Sequence, residues 1–155
     1  MEAAAQTRRS TMKVERILDA KGSAVETIRP DAPLDLAVHR LTDKRIGALV
    51  VSADGRRLDG VLAERDVVRG LAAHGPRLLE MPVAKVMSAP VPVCSRHTTI
   101  AEAMATMTRT RHRHLPVLDG DRVVGLISIG DVVKHRLEEM ELEASVLRDA
   151  YIAAR

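Results

Sequence analysis

The sequence predicts an α+β fold made of two copies of a β-α-β-β-α unit packed against each other, followed by a C-terminal amphipathic helix. Three observations carry this prediction. A run of residues recurs at a nearly fixed offset, apolar positions are spaced three and four apart, and Asp-Gly pairs sit between short apolar runs. The segment from residue 46 to 66 reappears as residues 112 to 131. Upstream, Leu34, Ala37, Val38 and Leu41 match Ile100, Ala103, Met104 and Met107 at an offset of 66; downstream, Gly60 and Asp66 match Gly125 and Asp131 at 65. The one-residue difference falls at a hairpin, where a deletion costs least. Such a fixed offset means two copies of one supersecondary unit.

Each copy opens on a short apolar strand, residues 25–28 and 91–94. The helix that follows carries the 34/37/38/41 and 100/103/104/107 stripes, the spacing of one buried helical face. Two strands come next, at 48–51 and 58–63 around Asp54-Gly55, and at 115–118 and 123–128 around Asp119-Gly120. Asp-Gly between apolar runs is a strong hairpin signal. A second helix closes each unit, from about residue 64 to 73 and from about 130 onward, and His74-Gly75-Pro76 stops the first. The expected division is an arm at 1–13, repeats at 14–73 and 83–136 joined by a linker at 74–82, and a helix at 137–155. Neither half is large enough to be comfortable alone.

Composition narrows the function. In 155 residues, 46% are hydrophobic and 29% charged, which is ordinary for a globular protein. No apolar run approaches the ~20 residues that span a bilayer, and the first eleven residues lack an apolar signal core, so no membrane partner is expected. Cys94 is the only cysteine, which excludes an internal disulfide and favours a reducing compartment; the cytoplasm is the expected location. The net charge of +3 arises from 24 Lys and Arg against 21 Asp and Glu, a mixed surface. There is no Trp, no Phe and a single Tyr, so single-stranded nucleic acid would find no rings to stack on, and nucleic acid is not an expected partner.

The repeat, the Leu115-Pro116-Val117 strand, the Asp-Gly hairpin and the closing Gly125-Leu-Ile-Ser128-Ile-Gly-Asp131 together resemble the cystathionine β-synthase (CBS) domain. The resemblance covers roughly residues 14 to 137 and is closest to stand-alone bacterial CBS-pair proteins, sometimes labelled as related to inosine monophosphate dehydrogenase. It implies two repeats about a pseudo-twofold axis, a disc called a Bateman module. The dehydrogenase label refers to a shared regulatory domain, because that enzyme's barrel needs ~250 residues.

The end of the third strand suggests a site. There the strand delivers Ser128 to the first turn of a helix, whose free N–H groups and partial positive charge suit a phosphate or ribose oxygen. Asp131 can accept from ribose hydroxyls. Ser-x-x-Asp is equally a helix-capping arrangement. In the first copy the same place reads Gly60-Val-Leu-Ala63-Glu-Arg-Asp66, so the hydroxyl is lost while the Asp stays, which favours a role for Asp66 other than capping. The resemblance implies clefts shared across the axis. Ile127, Ser128 and Asp131 would face Thr27, Ile28, Gly47 and Ala48. Leu62, Ala63 and Asp66 would face Val93, Arg113 and His114.

The basic run Arg111-His-Arg-His114 reads either as a phosphate clamp or as a solvated loop. No cysteine or carboxylate cluster joins His112 and His114, so a metal site is not expected. His97 and His135 read as surface residues, Cys94 as a small buried hydrophobe, and Met104 and Met107 as core. No Ser-His-Asp or Cys-His set assembles from the spacing, so no catalysis is expected.

Beyond Asp131, Leu137, Met140, Ala144, Leu147 and Tyr151 recur at three- and four-residue spacing among acidic neighbours. Because CBS pairs commonly dimerise through helices, a homodimer is expected. The resemblance implies a sensor of adenine nucleotides (AMP, ADP, ATP or NAD(H)) that acts on a regulated partner protein and requires no cofactor. The alternative is a ligand-free structural or dimerisation adaptor, favoured by Ala63.

Overall fold

A computed structural model describes residues 12–155, so nearly all of the expected arm at 1–13 lies outside the described residues. The chain runs α1 (Val14–Lys21), β1 (Thr27–Ile28), α2 (Leu34–Lys44), β2 (Ala48–Val51), β3 (Gly60–Ala63), α3 (Glu64–His74), two 3-10 turns (Gly75–Glu80 and Val83–Lys85), α4 (Ile100–Thr110), β4 (His114–Asp119), β5 (Arg122–Ser128) and α5 (Ile129–Ala153). In the first half β1 lies parallel to β2, which pairs antiparallel with β3 in the register Ala48↔Ala63 to Val51↔Gly60. In the second half β4 and β5 form an antiparallel ribbon. The strand expected at 91–94 shrinks there to one parallel bridge, Cys94↔Val117. Pro90 and Pro92 flank Val91 and lack the N–H a ladder needs, which accounts for the loss.

The two halves repeat one another closely. Each first helix ends on an arginine in the left-handed region, Arg45 at φ 53° and Arg111 at φ 56°, 66 positions apart. A non-glycine residue rarely takes that conformation, so its recurrence marks the same local geometry in both copies. The expected stripes are buried: Leu34, Ala37 and Leu41 in one core, Ile100, Ala103 and Met107 in the other.

The cores are not assembled from the sequence-adjacent pieces. Val14, Ile17 and Leu18 of α1 open the stretch expected as the first repeat, yet they pack in the second core with Leu115, Val117, Ile127 and Val132. Leu78 and Val83, which follow the first repeat's closing helix, complete the first core with Ile28, Leu49 and Leu62. Backbone bonds repeat the exchange: Leu34 N–H donates to Met81 O at 2.8 Å, and Ile100 N–H donates to Met12 O at 2.9 Å. Val83 N–H reaches Ala32 O, as Val14 N–H reaches Thr98 O. Each lead-in segment thus crosses to the other half.

The exchange explains the paired glycines. A Cβ on Gly60 would lie 2.7 Å from Met87 Sδ and 2.8 Å from Ser88 O; on Gly125 it would lie 2.5 Å from Leu18 Cδ2. At Gly60 the crossing backbone itself leaves no room for a Cβ, while at Gly125 the Leu18 side chain would have to give way.

Candidate functional site

The β3–α3 junction of the first half and the α4–β4 loop of the second enclose a cleft of about 400 Å³. Ala63, Glu64, Arg65, Asp66 and Arg69 form one wall, and residues 110–114 form the other. Val61, Val91 and Gly47 complete it, with Ser88 beside Asp66. Gly47 is needed by close approach, since a Cβ there would stand 3.1 Å from His114 Nε2.

Asp66 is buried, 7% exposed. Its Oδ1 accepts from the Ser88 hydroxyl at 2.7 Å and its Oδ2 from the Ala63 N–H at 2.8 Å. The carboxylate therefore braces the turn that leads into its own helix even without a hydroxyl at position 63. Retention of the Asp after loss of the capping partner is accordingly no mark of a second role. Each oxygen keeps a lone pair for a further donor.

The missing hydroxyl has a different effect. In the second half the Ser128 hydroxyl accepts from the Asp131 N–H at 3.2 Å. Ala63 has no side-chain acceptor, so the matching Asp66 N–H at the start of α3 has no side-chain cap. That helix start opens on the cleft, where four arginines (65, 69, 111 and 113) stand against the carboxylates of Glu64 and Asp66. Among the described residues, no carboxylate is ion-paired with any of the four. An uncapped helix start and an excess of guanidinium groups together suit an anion.

His114 was expected to add a cation. Burial instead pushes its imidazole below the ordinary value; Glu64 opposes that, while Lys21 reinforces it. Burial thus favours the neutral ring, which offers a hydrogen bond rather than charge. His112 lines the same cleft, two residues before His114; its Nδ1 lies 2.9 Å from Thr110 O. Leu62 is wholly buried beneath the cleft, and Val93 is exposed outside it, with Val91 in its place.

Ile28, Ala48 and Ile127 are core, and the Thr27 carbonyl accepts from Arg40. Gly47 belongs to the Asp66 cleft, and among the described clefts none is lined by Ser128 or Asp131. Asp131 Oδ2 is held by Lys21 Nζ at 2.7 Å and by the Ser128 N–H at 2.9 Å. Lys21 also donates to Leu126 O. Burial alone would raise the Asp131 carboxyl, but the Lys21 hydrogen bond and the Ser128 N–H outweigh it and hold the group below its ordinary value. His135, expected at the surface, is buried, with Nδ1 2.9 Å from Asp131 O. It is drawn in because α5 turns that face onto the second half. Cys94 is buried, and burial pushes its thiol up to about 12.

The Lys21–Asp131 pair makes stability depend on acid. Its folded carboxyl lies below the unfolded value, so the stability it adds is full above the unfolded value and is lost as pH falls through the folded one. Lys21→Met is expected to flatten this acid limb in urea unfolding at pH 7 and pH 3. The loss at pH 7 should stay under ~1 kcal/mol, because the Lys21 side chain is 40% exposed and screened. An unchanged acid limb would show that the pair contributes nothing.

Sequence reasoning missed Lys21, Ser88, Arg65 and Arg69. The first two ride on the lead-in segments, and their signal is a further repetition, Met12-Lys-Val against Met81-Pro-Val. The arginines sit four apart in α3, on either side of Asp66.

A family profile described as CBS domain matches residues 21–73 and again 83–138. The chain belongs to the CBS domain family. This CBS pair is 34% identical over 137 residues to CBSX3, a mitochondrial CBS domain-containing protein of Arabidopsis thaliana, covering 86% of this chain and 66% of that one. It spans 23% of a longer Arabidopsis relative, CBSCBSPB5. The crystal structure of the CBS-domain containing protein ATU1752 from Agrobacterium tumefaciens superposes with a TM-score of 0.77 at 39% identity, covering 83% of this chain and 96% of that one. CBSX2, solved in complex with AMP, shares the fold with a TM-score of 0.64 at 24% identity, covering 74% of this chain and 88% of that one. Among the described residues no helix is long and apolar enough to cross a membrane.

Proposed function

We propose that this CBS pair is a regulatory module that binds an adenine nucleotide in the Asp66 cleft and performs no catalysis. The observation that carries the reading is the meeting of an uncapped helix start, four arginines and a buried carboxylate in one cleft of about 400 Å³. That volume lies within the range of small-molecule sites. Phosphate would lie against the start of α3 and the arginines, the ribose hydroxyls would donate to Asp66, and the base would rest on Val61 and Val91. The AMP complex of CBSX2 supports a nucleotide in this fold. AMP, ADP, ATP and NAD(H) all carry the required groups. The buried thiol of Cys94 fits a reducing compartment such as the cytoplasm, and the assembly is a homodimer.

The Asp131 side favours a second reading for that half. With Lys21 already on the carboxylate, Ser128 and Asp131 act there as helix cap and strut, and the half is structural.

Melting the protein against AMP, ADP, ATP, NAD, NADH, GMP and adenosine tests the reading. A ligand at a hundred times its dissociation constant adds ~2.7 kcal/mol, or ~5–10 °C for a chain of this size. AMP or ATP should give such a shift, adenosine a smaller one, and added salt should reduce it. Equal shifts for adenosine and AMP would remove the phosphate clamp, and no shift with any nucleotide would remove the whole reading.

A further inference from the structure

The length of α5 beyond the disc demands a partner. From Met140 to the end of the chain every residue is exposed, a projection of ~20 Å. A helix that short is marginal in water without packing. Val133, Leu137, Met140, Ala144, Leu147 and Tyr151 follow one another at spacings of four, three, four, three and four. That is an unbroken alternation of the two seam positions of a two-stranded coiled coil. All six are exposed. The residues that fasten α5 to the disc, Val132, His135 and Glu139, lie on the far side of the helix from this seam, so the disc does not obstruct it.

We infer that α5 pairs with α5 of a second copy as a parallel, in-register coiled coil that joins two discs by their outer faces. Charge beside the seam selects the second copy and the direction. In the parallel arrangement Glu143 stands against Arg148 of the other helix, and Arg136 stands against Glu141, each twice by symmetry. Arg136 already holds Glu139 at 2.8 Å, so the Glu143–Arg148 contacts carry most of the preference. The antiparallel arrangement that keeps all six seam residues sets Val133 opposite Tyr151 and brings Glu143 against Glu143 and Lys134 against Arg148, like-charge contacts that disfavour it. Leu142 and Val146 lie on the opposite side and form no continuous stripe, because Asp149 interrupts them.

Light scattering and sedimentation of the full chain, with Leu147→Asp and Tyr151→Cys variants, test the inference. The unmodified chain should have twice the monomer mass. Leu147→Asp should halve that mass while the circular dichroism of the disc and its melting stay intact, because residue 147 touches nothing in its own chain's core. Tyr151→Cys should remain a dimer and form an interchain disulfide on mild oxidation, since parallel pairing sets the two positions side by side. Antiparallel pairing on the same seam would place them ~27 Å apart, beyond a disulfide's reach. The native thiol of Cys94 is buried and should not cross-link, which the parent protein checks. A monomeric parent, a Leu147→Asp variant that stays dimeric, an assembly larger than two, or a Tyr151→Cys dimer that fails to cross-link would each overturn it.

Discussion

Ile17→Ala is expected to cost about 2–5 kcal/mol, the range for truncating a buried aliphatic side chain whose surroundings cannot collapse. Ile17 is wholly buried in the second core between Val14 and Leu18. The core around it has little freedom to close the gap, because Leu18 is fitted against Gly125. In a chain of this size the loss corresponds to a fall in melting temperature of roughly 5–20 °C. The location of the damage matters as much as its size. Hydrogen exchange should rise first in α4, β4 and β5, which share a core with Ile17, and only later in α2, β2 and β3. A loss below ~1 kcal/mol, or deprotection that begins in the first half, would show that α1 is not part of the second core.

Asp66→Ala should weaken AMP binding about ten- to a hundredfold, the consequence of removing a charged acceptor worth ~1.5–3 kcal/mol. The same change strands the Ser88 hydroxyl and the Ala63 N–H, so stability without ligand should fall as well. Ser88→Ala separates the two effects. It removes one donor and leaves the carboxylate, so stability should drop by ~1 kcal/mol while affinity stays close to that of the parent. Asp131→Ala provides the contrast from the other half, where Lys21 and the Ser128 N–H already share the carboxylate's Oδ2. It should lower stability and leave AMP affinity unchanged. Calorimetric titration of the three variants decides the matter. Unchanged affinity in Asp66→Ala would end the assignment of ribose to that carboxylate.

Much of the architecture is written in local patterns. The stripes at 34/37/41 and 100/103/107 are buried as their spacing demands, and both Asp-Gly pairs lie between the strands they were expected to join. These features depend on periodicity and turn chemistry, which a short window contains. The failures have different causes. Lys21 and Ser88 reach their aspartates across 110 and 22 positions, on segments that cross between halves. No pattern within a window reports such a pairing. The strand at 91–94 failed because prolines denied it a ladder, and His135 because the docking side of α5 cannot be told from its free side by composition. The Asp66 cleft was legible in Ala63, Asp66, Arg113 and His114, but the state of His114 depends on burial that only the folded chain creates.

The crossing of the lead-in segments also bears on how such a chain can be rearranged. What was copied in the sequence is a run of about sixty-six residues, yet what holds together in space is a different set of residues, taken from both copies. A cut in the linker would leave two fragments, each without the piece that seals its interior. A hybrid that takes one half from another member of the family must therefore import two separate stretches of chain: the strands and helices of that half, and the short helix or turn preceding the opposite copy. Inheritance and cohesion follow different boundaries here. Exchange of parts between relatives should succeed only at breakpoints that respect the second.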